Sequence, residues 1–262
     1  MNVIVCVKQV PATTDVQIDP TTNTLKREGV EAIINPFDEY AVEEAIRLKE
    51  KNSSVKVVII TMGPPQAESI LRDCLARGAD QGILISDRAF AGADTLATSY
   101  TLSQAIKKIS DYSLIICGKQ ATDGDTAQVG PGIAEKLDIP HVAYVKKIEE
   151  FNDENIKIER MMEDGYDIIE MPVPALITVV KEINEPRLPS LRGTLMAKKA
   201  QIPKWTKDDL DLDEKQIGLK GSPTVVKKIF NPPHRSGGVT LKGKPEEMAN
   251  ELVAKMKELK IL

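Results

Sequence analysis

The sequence predicts an α/β fold: a mainly parallel, Rossmann-like sheet with helices on both faces, an antiparallel extension and a long C-terminal arm. Three observations carry this. Continuous apolar runs alternate with amphipathic segments over the first 140 residues, the pattern of strands buried on both faces. Three strand-to-helix junctions, Cys6–Pro11, Thr61–Pro64 and Gly118–Gly132, open towards one sheet edge. From His141 the pattern changes to short strands joined by turns.

Taken in order, Asn2 to Val10 reads as the first strand, and 16–26, which alternates around a Pro/Asn turn, as a peripheral hairpin. Asn35-Pro36-Phe37-Asp38-Glu39 is a helix start: Asn35 suits the cap, Pro36 the first position, and the acids complement the dipole. Phe37, Ala41, Val42, Ala45, Ile46 and Leu48 form its buried stripe. Val55 to Thr61 is a second strand, and Gln66 to Arg77 a helix ended by Gly78. Gly82 to Ser86 is a third strand, Ala93-Asp94-Thr95 opens a helix to about Lys108, and Tyr112 to Cys117 is a fourth strand.

The fourth strand delivers the loop Gly118-Lys119-Gln120-Ala121-Thr122-Asp123-Gly124-Asp125-Thr126-Ala127-Gln128-Val129-Gly130-Pro131-Gly132, and Val129, Ile133 and Leu137 share one face of a helix over 127–137. A helix start presents unpaired N–H groups and the positive end of its dipole, and so attracts anions. Asp123 and Asp125 would repel a phosphate they faced. Asp125 or Thr126 is therefore read as the cap, with the Ala127, Gln128 and Val129 amides turned to the ligand. Spacing alone favours an ordinary capped turn, because the loop matches neither G-x-G-x-x-G nor a Walker A sequence. Lys8 reads equally as a solvated strand end or a phosphate contact.

Strands at 141–148, 156–162, 166–171 and 175–180 form the antiparallel extension. Beyond Lys181 packing signals fade, until 245–259 closes the chain as an amphipathic helix with Met248, Leu252, Met256 and Leu259 in line. The reading is a nucleotide-binding domain over 1–183, then a docking loop and arm over 184–262 that lies against another chain.

Composition excludes several classes. A net charge of -4 with 42% hydrophobic and 28% charged residues suits a globular chain with no nucleic-acid partner. No apolar run reaches membrane-spanning length and none reads as a signal peptide, so no membrane insertion is expected, and the chain reads as cytoplasmic or as the mature form of an imported protein. The 3 cysteines, Cys6, Cys74 and Cys117, are scattered, and only His141 and His234 are present. Disulfides, metal centres and histidine-based catalysis are thus poorly supported, and redox work needs an organic cofactor.

Several motifs together resemble the β subunit of the electron-transferring flavoproteins over essentially the whole chain. They are Val5-Cys6-Val7-Lys8, Asn35-Pro36-Phe37 running into Ala41–Lys51, Gly118-Lys119-Gln120-Ala121, Asn184-Glu185-Pro186-Arg187 and Ala197-Lys198-Lys199. A signature over 158–178 departs at Asp167, where the family pattern has Glu or Gln. The resemblance implies a heterodimer with an α subunit that carries an electron-transfer FAD, and an adenine nucleotide in the β cleft. Its contacts would be Cys6, Lys8, Asn35, Pro36, Phe37, Asp38, Met62, Asp94, Thr95 and Thr122, Asp123, Gly124, Asp125, Thr126, Ala127, Gln128, Val129, Gly130, Pro131, Gly132 and Ile133. No catalytic acid or base is implied. Leu191 matches the residue that docks dehydrogenases, an acyl-CoA or other flavin dehydrogenase among them.

Family members differ in what the β cleft holds. Some keep AMP as a structural ligand. Others hold FAD and bifurcate electrons from NADH between ferredoxin or flavodoxin and the dehydrogenase. Gly124 and Ala127 stand where the AMP class is similar in pattern but has Asp and Asn, and 91–98 resembles the bifurcating class, so FAD is expected, with AMP the alternative. A nucleotide-hydrolysing or adenylating enzyme is the competing class, but its glycine/serine loop after the first strand is missing here.

Overall fold

The computed structural model describes residues 1–12, 32–227 and 237–262. The hairpin expected over 16–26 lies outside the described residues. The chain divides into two compact units, Met1–Lys227 and Lys228–Leu262.

The first unit is built on a nine-stranded sheet. Its strands in chain order are β1 (Asn2–Cys6), β4 (Lys56–Met62), β5 (Gln81–Ile85), β6 (Tyr112–Gly118), β7 (His141–Phe151), β8 (Asn155–Met161), β9 (Tyr166–Pro172), β10 (Ala175–Val179) and β11 (Lys204–Trp205). A separate antiparallel pair joins β2 (Gln9–Pro11) to β3 (Ala32–Ile34). The expected first strand is thus two strands, with the break at Val7–Lys8, where the chain leaves the sheet at the rim.

Across the sheet the order is β11-β5-β4-β1-β6-β10-β7-β8-β9, parallel from β11 to β7 and antiparallel from β7 to β9. One expectation is corrected here. β10 does not extend the antiparallel meander but inserts in parallel between β6 and β7. All five of its residues are buried, as a strand covered on both faces requires.

The helices are α1 (Pro36–Lys51), α2 (Glu68–Arg77), α3 (Thr95–Ile109), α4 (Val129–Leu137) and α5 (Leu191–Lys199). Side chains alternate along each strand, so Val3, Val5, Ile59, Ile116 and Ile177 pack with Ala41, Val42, Ala45 and Leu71 of α1 and α2. Ile4, Ile60, Ile85, Ile115 and Leu176 pack on the other face with Leu102, Ala105, Ile106 and Ile133 of α3 and α4. Each fully buried isoleucine contributes about 1.5–3 kcal/mol, so both faces favour one register.

Residues 184–227, sparse in packing signals, nonetheless fold onto this unit. α5 packs on α2, β11 adds to β5, and Leu210 and Ile217 are buried in the core cluster of α3 and α4. In the second unit, α6 (Pro245–Glu258) opens with Pro245, and the Glu247 carboxylate accepts the Lys244 N–H at 3.2 Å. Leu252, Val253 and Leu259 are exposed on or just beyond it.

Candidate functional site

β4, β1 and β6 are adjacent and parallel, so their carboxyl ends share one rim. Strand order reverses at β1: the chain runs outward through β4 and β5, then crosses back to β6. Open α/β sheets bind ligands in such a crevice. α1 and α4 start here, which brings the Asn35–Asp38 turn and the 118–132 loop together.

Asn35 is 1% exposed and joins them. It precedes α1 as expected, but its side chain does not cap that helix. Instead Nδ2 donates to the Gln120 carbonyl at 2.8 Å and to Asp38 Oδ1 at 2.9 Å, while Oδ1 accepts the Thr122 N–H at 3.0 Å. Asp38 Oδ2 accepts the Lys8 N–H at 2.7 Å. Burial drives the Asp38 carboxyl up to about 7, against the lowering by hydrogen bonds from Asn35, Lys8 and Gly118. Gly118 leaves room for this carboxyl: a Cβ there would overlap Asp38 Oδ1 and the Phe37 carbonyl carbon.

The loop corrects a further expectation. α4 starts at Val129 after Gln128, later than position 127, and neither Asp125 nor Thr126 caps it. Asp125 and Ala127 take left-handed backbone, φ 52° and 55°. The Asp125 carboxylate accepts from Gln120 Nε2, and Asp123 Oδ1 pairs with Lys8 Nζ at 2.6 Å. Both acids are therefore held by side chains of the rim. Among the described residues, the amides of Thr126, Ala127, Gln128, Val129 and Gly130 have no hydrogen-bond acceptor. Gly130 and Gly132 let α4 settle: a Cβ would overlap Thr178 at the first and Ser99 at the second. Pro131 and Ile133 lie in the first turns of α4, Ile133 fully buried.

Cys6 and Cys117 are register partners on β1 and β6, both buried under the rim. A hydrogen bond with Cys6, together with burial, pushes the Cys117 thiol up. Met62 ends β4 beside them. On the α3 side, Asp94 caps the helix through the Leu96 and Ala97 amides at 3.0 and 3.1 Å. Its other oxygen accepts the Thr224 N–H and hydroxyl. Burial opposes ionisation of Asp94, but these bonds outweigh it and hold the group below the usual carboxylate range. Thr95 stands half-buried at the first position of α3.

Lys119 was visible in the sequence only as part of a motif. Its ammonium lies 5.6 Å from the Phe37 ring centre and 5.1 Å from that of Tyr144. Tyr144 itself has φ 63°. No spacing rule would link these three, because Tyr144 enters from a strand beyond β10.

A second polar cluster fixes the segment before α5. Glu43, 3% exposed in its side chain, accepts the Arg187 N–H, Nε and Nη2 at 3.1, 2.8 and 3.1 Å, and Arg47 Nε at 2.6 Å. Asn184 Nδ2 donates to Tyr40 O and to Glu44, both at 3.0 Å. Leu191 is the first residue of α5 rather than a loop residue. With Leu188, Leu195 and Met196 it is strongly exposed, at 86%, 81%, 56% and 62% for 188, 191, 195 and 196.

Among the described residues no helix is long and apolar enough to cross a membrane. None of these residues forms a group of three or more His, Cys, Asp or Glu placed to hold a metal ion.

Comparison with known proteins adds two findings. Residues 22–210 match the family model described as the electron transfer flavoprotein domain. The chain is 52% identical to an electron transfer flavoprotein subunit beta of Thermoanaerobacterium thermosaccharolyticum, over 98% of each chain. It is 48% identical to the caffeyl-CoA reductase-Etf complex subunit CarD of Acetobacterium woodii, over 100% of each. It is 46% identical to protein FixA of Azotobacter vinelandii, over 98% of this chain and 94% of the other.

Proposed function

The chain belongs to the electron transfer flavoprotein family as a β subunit, and from that premise we propose that its rim holds FAD, with AMP as the alternative occupant. The observation that carries this is the run of amides from Thr126 to Gly130 at the start of α4 that have no hydrogen-bond acceptor among the described residues. Such amides suit a diphosphate, since they supply fixed donors and the helix dipole at once. The neighbouring acids do not oppose it, because Lys8 and Gln120 hold them.

FAD is favoured over AMP by space. A Cβ on Gly124 would meet nothing within 4 Å, and Ala127 presents only a methyl group beside the amides. The Ala91–Thr98 segment, with Asp94 and Thr95 at the start of α3, would line the far end of the larger ligand. Cys6, Met62 and the Asn35–Asp38 turn would line the near end. A bound flavin supplies electron storage that no side chain here provides. The chain's own part is to orient it through main-chain donors and to shield its diphosphate from water.

In this reading the protein pairs with an α subunit, and the pair passes electrons between NADH, a low-potential acceptor such as ferredoxin or flavodoxin, and a dehydrogenase. The relative named as part of a caffeyl-CoA reductase-Etf complex supports a dehydrogenase partner. Leu188, Leu191, Leu195 and Met196 form the docking surface for it, and α6 supplies an apolar stripe for the α subunit. The test is a nucleotide count on the purified heterodimer after denaturation. Two FAD per pair supports the proposal. One FAD with one AMP makes the chain a simpler carrier, and no adenine nucleotide beyond the α-subunit FAD overturns the rim assignment.

A further inference from the structure

Among the described residues, Asp38 is the one buried carboxyl of the rim, and every hydrogen-bond partner of its carboxyl group is a donor. Oδ2 takes the Lys8 amide at 2.7 Å, Oδ1 takes Asn35 Nδ2 at 2.9 Å, and the Gly118 N–H also faces it. These donors come from the end of β1, the turn before α1 and the end of β6. Asn35 then passes the constraint on, since the same Nδ2 holds Gln120 O and its Oδ1 holds the Thr122 N–H. Carboxylate, amide and loop therefore form one chain of hydrogen bonds that ends in the segment carrying the free amides. An ionised carboxylate accepts from all its partners. A protonated one brings an O–H into a pocket of donors.

We propose that Asp38 is a positioning residue whose ionised carboxylate locks the phosphate loop, so that nucleotide binding at the rim is linked to loss of the Asp38 proton. This rests on the rim being the nucleotide site. The other groups around it set the range over which the lock works. Lys8 at the end of β1 attracts the carboxylate. The Cys117 thiol of β6 and the Cys74 thiol of α2 sense its charge and are themselves held protonated by their surroundings. Asp123, the nearest loop acid through Lys8, is paired with that lysine, and Glu39, next on α1, is paired with Arg77. Burial brings the carboxyl to about 7, so the ionised fraction falls about tenfold between pH 8 and pH 6. Apparent affinity scales with the competent fraction.

The signs separate this from a purely structural role. A carboxyl whose folded pKa is raised stabilises the fold below its unfolded value and loses that contribution as pH rises through 7. Asp38 thus makes the fold less stable from pH 6 to 8 while making nucleotide binding tighter. A structural role would move both the same way.

The experiment uses the heterodimer with wild-type β chain or Asp38→Asn, stripped of nucleotide and titrated calorimetrically at pH 6, 7 and 8. FAD is the probe, or AMP if the nucleotide count finds AMP. The variant-to-wild-type ratio of rim-site Kd cancels the ligand's own titration. It should exceed one at pH 8 and fall about tenfold by pH 6, because only the wild type titrates. The wild-type affinity should itself fall about tenfold over that span when FAD is the probe, a result that needs no variant. A ratio constant with pH, or wild-type FAD affinity that is flat or rises as pH falls, overturns the lock while leaving the rim site standing. A heterodimer that takes up no nucleotide at the rim at any pH overturns both.

Discussion

Glu43→Gln is the sharpest probe of how α1 holds the segment before α5. The wild-type carboxylate accepts four hydrogen bonds from two guanidinium side chains and one backbone amide, at 2.6 to 3.1 Å, with 3% of its side chain exposed. Gln keeps the shape but removes the charge and turns an NH2 towards donors. Removing one partner of a fully buried pair costs about 3–5 kcal/mol. Arg187 and Arg47 keep 32% and 40% of their side-chain exposure, so water re-solvates them in part, and Glu50 still binds Arg187. The expected loss is therefore about 2 kcal/mol. Burial raises the Glu43 carboxyl, but the Arg187 and Arg47 hydrogen bonds outweigh it and hold the group below its usual value. Its contribution is then present above the unfolded carboxylate pKa of about 4.3 and lost as pH falls through the folded value. The assay is urea unfolding of wild type and variant at pH 7, 4 and 3, with limited proteolysis around residues 184–191. The gap should be largest at neutral pH and narrow only below the unfolded pKa of about 4.3, and cleavage should rise in the variant. A gap below about 0.5 kcal/mol at pH 7, or one that does not change with pH, refutes the account.

Asn35→Ala removes three hydrogen bonds and strands the Gln120 carbonyl and Thr122 amide, so it should cost about 2–4 kcal/mol and empty the rim. An unfolding midpoint and nucleotide content equal to wild type would contradict it. Ala127→Asn sits at φ 55°, where Asn is better tolerated than Ala, so the fold should hold while added bulk lowers the FAD content and spares AMP-sized ligands. Flavin counted after denaturation decides this, and an unchanged count sinks the steric account. Cys74 and Cys117 are buried with thiols pushed up by their surroundings, so at pH 8 they should resist a disulfide reagent until guanidinium unfolds the chain. Native modification of either, read by mass spectrometry at the rate of a free thiol, would show that the burial is wrong.

The parts of the fold legible in the sequence are those governed by local period. The parallel strands announce themselves as unbroken apolar runs, and Ala175–Val179 carried that same signal although it was read with its antiparallel neighbours. Sequence order suggested a meander, and only pairing between residues some sixty positions apart places β10 beside β6. β11 is two residues long and pairs through backbone, so it left no pattern at all. α5 carried its signal in Ser190, which caps through Gly193 at 2.9 Å, but the surrounding prolines masked it. Asn35 shows the limit most clearly. Residue type and position both fitted a cap, yet an amide can serve the helix that follows it or a loop 85 residues away, and nothing local chooses between them.

The same limit bears on the acids of the loop between β6 and α4. Read as sequence, Asp123 and Asp125 argue against an anion and invite a capping role to remove them from its path. In three dimensions Lys8, delivered by the neighbouring strand, neutralises one, and Gln120 takes up the other. Neither acid then needs to cap α4, and with no side chain capping it the helix start keeps its amides free. A side-chain cap would have taken one of the amides that the proposed diphosphate site uses. The uncapped start, a defect by the rules for an isolated helix, is what the positive-φ residues Asp125 and Ala127 arrange. Backbone strain of this kind, about 1 kcal/mol for each residue, persists where the surrounding contacts hold it and a ligand makes use of it.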